Sequence, residues 1–101
     1  MSANASALSS RAVVVTDDPS RYLLQLCRHF QRKIPVDFDR TRGVIEIGDG
    51  RCELTAEPGA LVLAISAASA SSVARFEQVI TRHLARFDRH HRLRIEWQAA
   101  S

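Results

Sequence analysis

Between Arg51 and Ser66 the chain reads RCELTAEPGALVLAIS, and this stretch leaves little freedom for the rest of the fold. Cys52, Leu54 and Ala56 alternate with Glu53, Thr55 and Glu57, the period of two that sorts apolar and polar side chains onto opposite faces of a strand. Glu57-Pro58-Gly59-Ala60 places Pro and Gly at the two central positions of a type II turn. Leu61, Leu63 and Ile65 then resume the alternation on the return. Two adjacent strands therefore share one apolar face, and something must cover it. The pattern extends upstream. Val36 and Phe38 alternate with Asp37 and Asp39, residues 40–43 (RTRG) form a turn, and Val44 to Ile47 return. Gly48-Asp49-Gly50 is a strong hairpin signal. Four short antiparallel strands are expected in a row.

The cover comes from two segments with helical spacing. Asp18 stands where an N-cap is wanted, Pro19 fits the first helical position, and Leu23, Leu26, Cys27, Phe30 and Ile34 form one apolar stripe. Pro35 closes this first helix, expected over Pro19–Arg32. A second helix is expected over Ser71–Asp88, with Val73, Phe76, Ile80, Leu84 and Phe87 as its stripe. The run RAVVVT (Arg11–Thr16) is a strand with apolar residues on both faces, which places it centrally. Leu93, Ile95 and Trp97 alternate with Arg94, Glu96 and Gln98 as a last strand. The order β-α-β-β-β-β-α-β predicts an α+β fold: a two-layer sandwich with a mostly antiparallel sheet and two helices on one face. Residues 1–10 (MSANASALSS) read as a disordered tail before a single domain over 11–98.

An apolar fraction of 46% and a charged fraction of 25% belong to an ordinary globular chain. No apolar run approaches the roughly 18 residues that cross a bilayer. The start has neither a basic nor an apolar leader region, so a cytoplasmic location is expected. Two cysteines are too few for a disulfide scaffold and read as small buried hydrophobes.

Three blocks, RYLLQLCRHFQRKIPV, GDGRCELTAEPGALVL and HLARFDRHHRLRIEW, together resemble a small bacterial family catalogued as domain of unknown function 2218, over Arg11 to Trp97. The order of elements is similar to that of the TATA-binding-protein-like fold, an analogy that carries no function. The resemblance implies a small domain, often standing alone. Some members lie beside, or are fused to, flavin-dependent siderophore-interacting reductases, so it also implies a link to iron acquisition with such a reductase as partner. It brings no catalytic residues and no cofactor.

Charge is unevenly laid out. From Pro19 to Ile34 there are four basic residues and no acid, and thirteen of the fourteen basic residues in the chain are arginine. Arg21, Gln25, Arg28 and Arg32 recur at helical spacing opposite the apolar stripe, and Arg75, Arg82, Arg86 and Arg89 do the same on the second helix. The commonest reading of such stripes is a solvated face. The functional one is a positive surface for an anionic ligand, such as a ferric siderophore, or for an acidic partner, with Arg21, Arg28, Arg32 and Arg82 as its chief residues. Nucleic acid is disfavoured: no known motif occurs, the aromatics are spent on buried stripes, and the sheet face carries Asp37, Asp39, Glu46, Glu53, Glu57 and Glu96.

A second reading takes Cys27, His29 and His83 as a pocket between the helices, serving a small ligand, a metal or an enzymatic reaction. Cys27 and His29 point in different directions from one helix, and neither a C-x-x-C nor an H-x-x-x-H spacing occurs, so no metal site is expected. Glu46 and Glu53 flank the hairpin as possible cross-strand neighbours with Arg51 and Arg94 available to neutralise them, and residues 89–92 (RHHR) read as a surface connection. A third reading is self-association through the uncovered sheet face, where Val62 and Ala64 interrupt the charges; monomer and homodimer both remain open. The overall expectation is a non-enzymatic accessory or binding module, with the pocket as its alternative.

Overall fold

The computed structural model describes residues 8–90 and 92–100. Strand β1 (Leu8–Val15) is followed by helix α1 (Pro19–Gln31), then β2 (Asp37–Phe38), β3 (Arg42–Ile47), β4 (Gly50–Glu57) and β5 (Ala60–Ala67). Helix α2 (Ala70–Phe87) and strand β6 (Gln98–Ala100) complete the chain. The strands form one sheet in the order β2-β3-β4-β5-β1-β6, with every neighbouring pair antiparallel. Both helices lie on one face, α1 over β3 and β4 and α2 over β5 and β1. The fold is thus α+β, a six-stranded antiparallel sheet and two helices in two layers.

The core lies between the layers. Leu54, Leu61, Leu63 and Ile65 from the meander meet Leu23, Leu26 and Cys27 from α1 and Phe76, Ile80 and Leu84 from α2, all buried. Each such side chain removed from water contributes about 1.5–3 kcal/mol. Two glycines let the layers close. An added Cβ on Gly43 would stand 2.7 Å from Cys27 Sγ, and one on Gly50 would stand 2.6 Å from the Phe76 ring. Glycine is required wherever a helix side chain sits directly on strand backbone.

The turns behave as their residues dictate. Gly59 has φ +82°, the value a type II turn needs at its third residue, and Glu57 pairs with Ala60 across it. Asp39 Oδ1 accepts hydrogen bonds from the backbone N–H groups of Thr41 (2.8 Å) and Arg42 (2.9 Å) and from the Thr41 hydroxyl, closing the turn into β3. Ser69 caps α2 by accepting from the Ser72 N–H at 3.1 Å. Asp18 occupies the N-cap of α1 without a side-chain cap bond; its own N–H is instead bound by Thr16 Oγ1.

The structure corrects three expectations. The first strand begins at Leu8, three residues inside the expected tail, because Leu8, Ser9 and Ser10 pair with Ala67, Ser66 and Ile65 of β5; residues 1–7 lie outside the described residues. Of the strand expected over Leu93–Gln98, residues 93–97 are irregular, and only Gln98, continued by Ala99 and Ala100, joins the ladder, opposite Ser9–Arg11. Leu93, Ile95 and Trp97 do alternate in burial, yet they are held elsewhere. The buried Asp88 carboxylate accepts from the N–H groups of Arg92 (3.0 Å) and Leu93 (2.8 Å), and Trp97 Nε1–H donates to Thr81 Oγ1 on α2 at 2.8 Å. These bonds draw the segment toward α2 rather than flat against β1. Finally, β1 is internal in the sheet, but its Val13 and Val15 face outward and are exposed. Central position followed from its pairing, while its second apolar face is left uncovered.

Candidate functional site

Helices α1 and α2 meet along a seam, and the seam is where charge and imidazole chemistry collect. His29 lies on the flank of the α1 stripe and His83 on the flank of the α2 stripe, so packing both stripes on one sheet turns the two rings toward each other. Their centroids are 4.5 Å apart at a 51° tilt. Phe30 and Phe87 frame them: Phe30 lies 5.0 Å from His83 and Phe87 6.2 Å from His29, centroid to centroid. His83 Nδ1 is 2.7 Å from the Val79 carbonyl oxygen. A carbonyl can only accept, so Nδ1 carries a proton and Nε2 is the atom left for anything outside.

The surroundings of the pair are cationic. His29 is held below its usual value by burial first, then by His83, Arg32, Arg86 and Lys33, each of which disfavours a further positive charge there. Among the described residues the ion pairs are confined to Arg51, which bridges Glu46 and Glu53 at 3.3 Å each on the opposite face of the sheet. Among the described residues no carboxylate within that range offsets Arg32, Lys33 or Arg86. The seam therefore holds two imidazoles and three permanent cations, a set that suits a carboxylate or phosphate and repels a metal cation. Among the described residues no group of three or more side chains has the makings of a metal site.

The expected site residues are divided by the structure. His29 and His83 come together. Cys27 does not join them: it is fully buried, with its sulfur over Gly43 of β3, and burial pushes its thiol up to about 12. Cys52 is buried and likewise raised to about 12, by burial and then by the nearness of Cys27; both thiols are free. Of the four arginines, all exposed, Arg32 stands by the imidazole pair. Arg21 lies toward the start of α1 beside its neighbour Tyr22, guanidinium carbon 6.0 Å from the ring centre, at a 340 Å³ hollow that Asp17, Asp18 and Arg92 also line. Arg82 borders a hollow on the far flank of α2 with Glu77, Gln78, Thr81 and Trp97. Arg28 faces solvent. Arg86 belongs to the expected stripe of the second helix but was not among its chief residues, and Lys33 was not singled out. Their spacing could have found them, since Lys33 is four residues beyond His29 and Arg86 three beyond His83, one turn along the same faces. Glu46 and Glu53 are not directly opposed; their cross-strand partners are Arg51 and Val44.

The chain matches the family model of uncharacterized proteins conserved in bacteria (DUF2218) over residues 11–98, and it belongs to that family. It is similar to PA4090 from Pseudomonas aeruginosa, whose structure was determined by NMR. The two share 33% identity, with 90% of this chain and 95% of that one covered and a TM-score of 0.76. No curated protein matches the sequence. Among the described residues no helix is long and apolar enough to cross a membrane.

Proposed function

We propose that this chain is a non-enzymatic accessory module whose helical face binds an anionic group, carried by an acidic partner protein or by a carboxylate-bearing ligand. The observation that carries the reading is the His29–His83 pair, 4.5 Å apart on two helices and surrounded by Arg32, Lys33 and Arg86, which pair with no carboxylate among the described residues. An anion seated on the seam exchanges the repulsion among these groups for attraction and favours the protonated form of His29. Its binding therefore takes up protons and strengthens as pH falls through the histidine range. A flavin-dependent siderophore-interacting reductase, or the ferric siderophore it handles, is the partner suggested by the family resemblance. A ferric complex bearing carboxylates has the charge the seam calls for.

Cys27 argues against the alternative of a thiol-based pocket. A nucleophilic thiolate needs access and a lowered pKa, and this thiol has neither.

The test is an NMR titration with two probes, inorganic phosphate and citrate, at pH 6 and pH 8. The ring resonances of His29 and His83 are expected to shift in a saturable way, more strongly at pH 6. Arg32→Glu together with Arg86→Glu is expected to weaken the effect at least tenfold, about 1.4 kcal/mol. Ring resonances that stay fixed with both probes, in a chain that also ignores the purified reductase, would remove the proposal.

A further inference from the structure

Among the described residues no second layer covers the side of the sheet away from the helices, where only Val62 is buried in its middle, and its residues are sorted. Along the middle, Val13 and Val15 of β1 lie beside Val62 and Ala60 of β5 in the cross-strand pairs Val13–Val62 and Val15–Ala60. Val13 is 49% exposed and Val15 75%, an uncommon investment of two β-branched side chains in solvent within one strand. On one flank, strands β2 to β4 carry four outward carboxylates, Asp37, Glu46, Glu53 and Glu57, against two arginines, Arg42 and Arg51. On the other flank the balance reverses. Arg11, Arg92 and Arg94, against Glu96, line a groove of about 400 Å³ that Val13 and Val15 share. The face runs from acidic through apolar to basic.

We infer that this face is the contact between two copies of the chain, related by a two-fold axis that runs parallel to the strands and passes between β1 and β5. Two sheets meeting face to face can be related by a two-fold axis lying across the strands or along them. An axis across the strands lays β4 on β4, acid on acid. An axis along the strands turns the second sheet over from side to side, so the acidic flank covers the basic one and the apolar strip covers itself. Only the second arrangement is electrostatically self-complementary. Placed between β1 and β5, it sets Val13 on Val62 of the other copy and Val15 on Ala60 of the other copy. Glu57 lies on the cross-strand row of Ala60 and Val15, and Arg94 borders the groove with Val15 on the far side of β1, so the same axis brings Glu57 of each copy toward Arg94 of the other. Sheet twist makes such packings meet at about 30°, so the rows nearest the axis keep their register best. With the axis between β1 and β5, four strands of each sheet overlap, a patch of roughly 19 Å by 25 Å from strand spacing and rise. That is about 480 Å² per copy, smaller than stable interfaces bury, and a weak dimer of about 100 μM is expected. Both helical faces point outward in this dimer, so its formation does not depend on the anion-binding reading.

The test uses sedimentation velocity on the full chain as wild type, as Arg94→Glu, as Glu57→Arg, and as an equimolar mixture of the two variants. In either variant alone the two-fold sets like charges together twice, while in the mixed pair both contacts join opposite charges. The expected result is a wild-type dimer, two monomeric variants with native circular dichroism, and a mixture that dimerises again. A wild type that stays monomeric up to about 1 mM, an affinity beyond which interfaces of this size are not specific, overturns the inference. So do variants that dimerise as well as wild type, or a mixture that stays monomeric. Should either variant lose its fold, Val15→Lys, which places a charge from each copy beside the axis, is expected to be monomeric, and a Val15→Lys chain that dimerises as well as wild type overturns the inference.

Discussion

Gly43 leaves room beneath α1 for a hydrogen atom and nothing larger. Its missing Cβ would sit 2.7 Å from Cys27 Sγ and 3.3 Å from Phe38 Cβ, so Gly43→Ala should destabilise the chain by about 1–3 kcal/mol through overpacking. The two sites are coupled. Cys27→Ala alone leaves a small void, yet placed in the Gly43→Ala background it should recover most of the loss. Urea unfolding of both single variants and the double variant checks this, and additive effects would mean the clash is relieved elsewhere. The same burial makes Cys27 inert: a small thiol reagent should label it only at the rate of unfolding. His29 gives a prediction on acid stability. Its folded-state value lies below the ordinary 6.5 because burial, His83, Arg32, Arg86 and Lys33 disfavour its charge. The unfolded chain therefore binds the proton more readily. The stability is fully present above pH 6.5 and is lost as pH falls through the lower folded value. Melting temperatures taken from about pH 8 to about pH 5, within the histidine titration range, should fall less steeply for His29→Gln than for wild type.

At the scale of elements, the last stretch of chain depends on two side chains that hold it off the sheet. Asp88→Ala would leave the N–H groups of Arg92 and Leu93 without their carboxylate, a loss of about 0.5–1.5 kcal/mol for each of these partly buried bonds. Thr81→Val removes the partner of Trp97 Nε1 and should lose about 1 kcal/mol. Trp97 is the single tryptophan of the chain, so its emission should shift to the red in either variant as the segment loosens. This region also marks where the sequence stops being legible. The alternation of Leu93, Ile95 and Trp97 correctly gave their half-buried side, but alternation says nothing about hydrogen-bond partners. The bonds that decide the path come from Asp88 and Thr81, which are respectively five and sixteen residues away from their partners. The meander was legible because its turns are local. Gly59 and the Asp39 carboxylate fix register within a few residues, and the apolar period does the rest. Of the candidate site, the His29–His83 contact followed from two stripes packing on one sheet. The separation of Cys27 from it followed from its place at the centre of a stripe rather than the flank.

For the molecule as a whole, the two faces are built on different rules: the helices present cations that pair with no carboxylate among the described residues, and the open sheet presents a charge gradient with an apolar middle. Anion binding on the helical side should weaken steeply with salt, since at about 0.5 M the screening length is only some 4 Å. The sheet contact, with its apolar strip, should weaken less over the same range. Comparing both by titration and sedimentation at about 0.05 and 0.5 M NaCl separates them, because a common salt slope would place both on charge alone. The position of β1 has a consequence in time as well as in space. This first strand lies between β5 and β6, both made later, with Val15 opposite Ala60 and Ser9 opposite Ala100. No local hairpin can stabilise it. The chain must close long loops before its opening valines find a neighbour, the kind of topology that folds in milliseconds to seconds rather than microseconds. During synthesis, the segment Ala12–Val15 waits for at least forty-five further residues before it can pair. Through that interval it is the part of the chain most exposed to mispairing and to capture by chaperones.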